Sequence, residues 1–144
     1  MLETLCDQGY QIDLLTYREG RNVKIDGLTT YRIAPPGFVA NVPIGFSWQK
    51  MICDVWLSFK LLHLLHKKKY RIVHAVEEAV FPALMLKPLY GFYLTYDMDS
   101  SLSDQIAAKF QLGDFANSLL KLFEKIAVCG SDAVVAVCED LSRK

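Results

Sequence analysis

The sequence lacks most of the features that identify a protein at a glance. Its four cysteines, Cys6, Cys53, Cys129 and Cys138, form no C-x-x-C pair and no zinc-like spacing. That pattern points to reduced, mostly buried thiols in a cytosolic protein. No stretch of about 18 apolar residues occurs, so no membrane span is expected. The opening residues, MLETLCDQGY, lack the apolar core of a signal peptide. Neither sign of charge is in excess: 16 Lys and Arg balance 16 Asp and Glu. This argues against a dedicated nucleic-acid binder, which usually carries a basic surplus. No G-x-G-x-x-G, internal repeat, low-complexity tract or obvious linker is present. What the chain has is apolar mass. With 144 residues, 52% hydrophobic and 22% charged, it has enough for one domain with a core and is not a disordered chain.

That apolar mass is organised in short runs and helical stripes. Met1–Gln8 reads as the tail of a helix, with Gly9 suited to the left-handed position after it. Ile12–Tyr17 and Leu28–Ile33 read as strands, joined by a polar, hairpin-like excursion. Pro35-Pro36-Gly37 stops the second strand. From Ser47 to about Lys68 apolar residues recur at helical spacing: Trp48, Ile52, Val55, Trp56, Phe59 and Leu62. Further strands are expected at Arg71–Val76, Tyr93–Asp97 and Ala133–Val137. Further helices are expected at Glu77–Tyr90 and within Ser103–Cys129, with another starting at Glu139.

The most informative stretch is Tyr70–Gln105, YRIVHAVEEAVFPALMLKPLYGFYLTYDMDSSLSDQ. Two apolar runs flank a helix-length segment, and each run ends in acidic or hydroxyl residues. This is the grammar of strand, helix, strand in a parallel sheet. The fold class expected is α/β, a Rossmann-like parallel sheet with helices on both faces. In such sheets ligands gather beyond the carboxyl ends of the strands. Those ends carry Glu77, Glu78, Asp97, Asp99, Ser100 and Ser101. A doubly wound sheet usually opens with a central strand and a Gly-rich turn, and this chain opens inside the first helix. The first strand is therefore expected to be missing, and the polypeptide alone to be marginally stable, since each lost core side chain forfeits about 1.5–3 kcal/mol.

In the order of its segments the chain resembles the N-terminal domain of family 4 glycosyltransferases, retaining enzymes of GT-B fold. LETLCDQGYQIDLLTY resembles the family's first helix and second strand. YRIVHAVEEAVFPALMLKPLYG resembles its strand ending in a His, followed by a helix rich in small and aliphatic residues. YLTYDMDSSLSDQ resembles the next strand and the acceptor-side loop, and SDAVVAVCEDLSRK a later strand entering a helix. The likeness spans nearly all of residues 1–144. It implies an acceptor-holding domain whose partner, a C-terminal domain with a Glu-x7-Glu motif, holds the nucleotide sugar. This chain ends before such a domain, so the resemblance implies part of an enzyme. The partners implied for the complete enzyme are a nucleotide sugar and a sugar or lipid-linked acceptor. The location implied is the cytoplasm, including the inner face of the membrane.

Each candidate site residue carries a functional and a structural reading. Asp97 stands where related enzymes place a His beside the reacting sugar. A carboxylate there can orient or deprotonate an acceptor hydroxyl, or it can cap the amides of Ser100 and Ser101. Asp99, Ser100 and Ser101 suit sugar hydroxyls or the capping of the next helix. His74, inside an apolar strand, is by default a core histidine and otherwise a substrate-binding residue. Glu77 and Glu78 complement a helix dipole, and one of them can face the substrate. Asp99 sits in a lone D-x-D, and no metal is expected. His63 and His66 lack a third ligand. No cofactor is expected. Trp48, Trp56 and Phe59 with Lys60 compose a helix that either packs on the sheet, the simpler expectation, or touches a membrane surface.

The leading expectation is the acceptor-binding half of a retaining, sugar-nucleotide-dependent glycosyltransferase of cell-surface polysaccharide or glycolipid synthesis. The alternatives are another nucleotide-binding Rossmann domain, disfavoured by the absent Gly-rich fingerprint, and a non-catalytic fragment or interaction module.

Overall fold

Short β-branched runs alternating with helical stripes give five strands and four α-helices among the described residues. The computed structural model describes residues 1–21, 23–34, 47–98 and 114–136, with residues 114–117 as backbone only. The chain forms two compact units, Met1–Leu61 and Leu62–Lys144.

In the first unit, α1 (Leu2–Asp7) leads into β1 (Ile12–Thr16), and β2 (Leu28–Arg32) follows. The two strands are parallel, with Ile12 beside Leu28 and Thr16 beside Arg32. Parallel neighbours usually need a helical crossover. Here the described residues of the return, 17–21 and 23–27, hold no helix, and the Arg32 guanidinium binds the first part of that loop. Its Nη1 donates to the carbonyls of Tyr17, Arg18 and Glu19 at 3.2, 3.2 and 2.7 Å. Its Nη2 donates to those of Gly20 and Arg21 at 3.2 and 3.0 Å. One planar cation thus collects successive carbonyls that a crossover helix would have satisfied internally.

The helix α2 (Trp48–Lys67) begins at a side-chain cap, where the Lys50 amide donates to Ser47 Oγ at 3.1 Å. The core of this unit is Ile33 and Cys53, with Leu15, Tyr17, Ile52 and Leu57 packed around them. Burial, and then the neighbouring Asp54 and Glu19, push the Cys53 thiol pKa up. The Tyr17 hydroxyl donates to Asp54 Oδ1 and fastens β1's end to α2. The helix packs against this unit's sheet, the simpler expectation, through Ile52, Cys53 and Leu57, while Trp48, Trp56 and Phe59 themselves are exposed. This helix is apolar around most of its girth, so it cannot bury every apolar side chain. Within this unit the inward side is taken by Cys53.

The second unit is built of β3 (Ile72–Val76), a 3-10 turn (Glu77–Ala79), α3 (Val80–Tyr90), β4 (Tyr93–Met98), α4 (Asp114–Gly130) and β5 (Ala133–Ala136). The sheet order is β3-β4-β5 and both pairings are parallel. The fold is α/β and Rossmann-like, as the alternation of runs implied. Pro88 lies near the end of α3, and Gly91 closes that helix at φ +66°, a conformation open to a residue without Cβ.

Side chains alternate across a strand, so the register defines two faces. Ala75, Leu94, Tyr96 and Met98 form one face and are buried. The helix α3, whose Val80 and Ala83 are fully buried, packs across β3 and β4, and α4 packs on α3. Burying Leu94 alone is worth about 2 kcal/mol. At the strands' amino ends, Lys87 Nζ pairs with Asp132 Oδ1 at 2.8 Å and donates to the Gly130 carbonyl at 2.9 Å. Asp132 Oδ2 accepts the Leu94 amide at 2.7 Å. A cation therefore closes the end of α4 while the same carboxylate starts the β4–β5 pairing. Although the run Ala133–Val137 is apolar throughout, Val134 and Val135 are exposed. In this sheet β5 pairs on one side only, so its side chains have fewer neighbours; Val137 lies outside the described residues.

Candidate functional site

The opposite face of the three-stranded sheet is open, and polar chemistry collects there. Ile72, His74 and Val76 of β3 share this face with Tyr93, Thr95 and Asp97 of β4 and with Val135 of β5. Ile72 is 60% exposed, and Val76, Tyr93 and Val135 nearly half. Among them, His74 Nε2 lies 3.0 Å from Asp97 Oδ2, with side chains 30% and 22% exposed. Register explains the meeting. His74 stands beside Thr95, and Asp97 is the next residue along β4 on the same face.

An ionised carboxylate only accepts hydrogen bonds, so beside it Nε2 carries the proton. The Nδ1 lone pair is then the basic position of the ring. A carboxylate that fixes the tautomer and steadies the imidazolium is the arrangement general-base catalysis uses. The bordering Ile72, Val76 and Tyr93 add apolar and aromatic surface, so the face combines polar groups with hydrophobic walls.

Beyond His74 in β3 the backbone turns sharply. Glu77 has φ +49°, the one non-glycine residue with positive φ among the described residues. For a residue with Cβ this conformation costs on the order of 1 kcal/mol. Glu77 and Glu78 were expected to open an α-helix. They form the 3-10 turn instead, and the α-helix starts at Val80. Both carboxylates are half-buried. With burial and with Glu124, they push the Tyr96 phenol up to about 12, Glu78 acting more strongly than Glu77. Their electrostatic influence therefore reaches a phenol on the covered face.

Two of the expected site residues, His74 and Asp97, are thus brought together. The default reading of His74 as a core histidine is corrected: it lies on the open face, because its neighbours Val73 and Ala75 take the covered one. The pairing itself escaped sequence reasoning, since only the register of two strands reveals it. Asp99, Ser100 and Ser101 lie outside the described residues. His63 and His66 are exposed on α2. Among the described residues no group of three His, Cys, Asp or Glu side chains is placed to hold a metal ion. None of their helices is long and apolar enough to cross a membrane. In comparison with known proteins, no family model matches the chain and no curated protein is detectably similar to it.

Proposed function

We propose that this chain is the acceptor-binding half of a retaining, sugar-nucleotide-dependent glycosyltransferase, of the family 4 type that its segment order resembles, acting in the cytoplasm. The observation that carries the reading is the His74–Asp97 pair, set on an open sheet face towards the carboxyl end of β4. In this reading Asp97 holds the imidazole, and the pair orients one hydroxyl of the acceptor and accepts its proton. Ile72, Val76 and Tyr93 line the apolar side of the sugar. Glu77 and Glu78 mark the carboxyl end of β3, where the acceptor's remaining hydroxyls would reach. The nucleotide sugar belongs to the other half of the complete enzyme.

The test is glycan binding by the full chain, screened by affinity for a panel of oligosaccharides and glycolipid headgroups. Binding of at least one glycan is expected, weakened about tenfold or more by Asp97→Asn or His74→Ala, the loss of a charge-assisted hydrogen bond. Lys121→Ala, on exposed α4 surface, is expected to leave it unchanged. Absence of binding across the panel, or equal binding by the Asp97→Asn chain, would overturn the reading.

A further inference from the structure

We infer that the acceptor is a chain of at least two linked sugars and that Tyr93 is the platform for its second ring, an inference that rests on the sugar-transfer reading of the His74–Asp97 pair. All the residues concerned belong to one unit, Leu62–Lys144. Strand register sorts the open face into rows. The first row, at the strands' amino ends, sets Ile72 beside Tyr93. The second sets His74 beside Thr95, and the third sets Val76 beside Asp97. The polar pair spans the second and third rows. The first row is apolar and aromatic, and Tyr93 is 49% exposed, enough to offer a ligand one side of its ring.

That ring is held in place. Its hydroxyl donates to the Asp132 carbonyl at 3.0 Å. Asp132 is itself fixed, by Lys87 Nζ at 2.8 Å and by the Leu94 amide at 2.7 Å. The ring therefore gives up little freedom when a ligand settles on it. An aromatic face prepared in this way suits the C–H groups on the apolar side of a pyranose ring. A flexible lipid tail has no need of a fixed aromatic plane, so the tether favours a sugar. Distance sets the length of the ligand. Asp132 precedes Ala133, the partner of Thr95, so the tether keeps the ring at the amino end, away from Asp97. Along β4, Tyr93 lies about 13 Å from Asp97 at ~3.3 Å per residue. One pyranose ring cannot cover Tyr93 while the pair holds one of its hydroxyls. Two linked rings can, with the reacting hydroxyl at His74–Asp97 and the preceding sugar over Tyr93.

The full chain is titrated calorimetrically with glucose, galactose, mannose and N-acetylglucosamine, each as its methyl glycoside, its octyl glycoside and its linked disaccharide. For the sugar that binds, the disaccharide is expected to bind about tenfold more tightly than the methyl glycoside. The Tyr93→Ala chain, checked by circular dichroism, is expected to bind the two alike. Tyr93→Phe, which keeps the ring and loses the tether, is expected to retain part of the disaccharide's advantage. Asp97→Asn is expected to weaken both ligands and leave their ratio unchanged. Four results overturn the inference while the sugar reading stands: equal binding of methyl glycoside and disaccharide by the native chain, an undiminished ratio in Tyr93→Ala, a Tyr93→Phe chain as impaired as Tyr93→Ala, or an octyl glycoside that matches the disaccharide and so assigns the first row to a lipid tail. Absence of binding across the whole panel overturns both.

Discussion

The two faces of the three-stranded sheet are made from the same strands and have opposite characters. One buries Ala75, Leu94, Tyr96 and Met98 beneath α3. The other exposes Ile72 and Val76 and holds His74 against Asp97. The amino-acid types alone do not separate them, because Ile72 and Val76 are as apolar as Leu94. What separates them is which parity of the strand meets the helices. The covered face carries stability. The open face spends comparable apolar surface on no partner among the described residues, and it is where a titratable pair remains within reach of a ligand.

The sharpest way to break this contrast is to truncate one residue on each face. Leu94→Ala removes a fully buried side chain and is expected to cost about 2–5 kcal/mol of unfolding free energy. Ile72→Ala on the open face is expected to stay within about 0.5 kcal/mol. Denaturant melts of both variants make the comparison, and similar losses would mean that the open face is covered in solution.

Alkaline titration sharpens it further. The Tyr96 phenol is raised from its ordinary value of 10.0 to about 12, through burial and the charges of Glu124, Glu78 and Glu77. The unfolded chain therefore ionises this phenol first. The associated stability is present below pH 10 and is lost as pH rises towards about 12. Melts across that range are expected to show this loss in the native chain and a smaller one in Tyr96→Phe.

Asp132 gives the complementary acid response. The Lys87 hydrogen bond, followed by that of the Leu94 amide, lowers its pKa below the ordinary 3.8. Its contribution is complete above that ordinary value and is lost as pH falls through the lowered one. Asp132→Asn is expected to flatten the acid limb of the stability profile, which melts at successively lower pH would show. A small effect on stability is also expected at the open-face pair itself. Asp97→Asn, with both partners partly solvated, is expected to shift the melt by less than about 1 kcal/mol while weakening glycan binding about tenfold or more.

Much of the fold was legible because its causes are local. The runs that read as strands became β1 to β5, with ends displaced by a residue or so. Gly9 took the left-handed position just past α1, as its place in the sequence implied. The parts that escaped depend on distant partners. A 3-10 turn with Glu77 at positive φ runs against the helix preference of Glu-Glu-Ala, and tertiary context overrides such preferences. The loop between β1 and β2 closes on Arg32, and no local signal ties that guanidinium to carbonyls 11 to 15 residues earlier. The face of α2 that meets the core could not be chosen from a stripe that runs almost all round. His74 and Asp97 were each singled out, but 23 residues separate them and only the register joins them.

The account rests on the open face recognising a sugar through this pair, and the imidazole can report on that directly. The chain has three histidines, His63, His66 and His74, so a ring-proton NMR spectrum holds three sets of signals, assignable by single substitutions. Titrating the full chain with acceptor glycans is predicted to move the His74 signals, leave those of His63 and His66 in place, and produce no movement in the Asp97→Asn chain. A His74 signal that stays fixed throughout, or one that moves equally without the Asp97 carboxylate, would contradict the account.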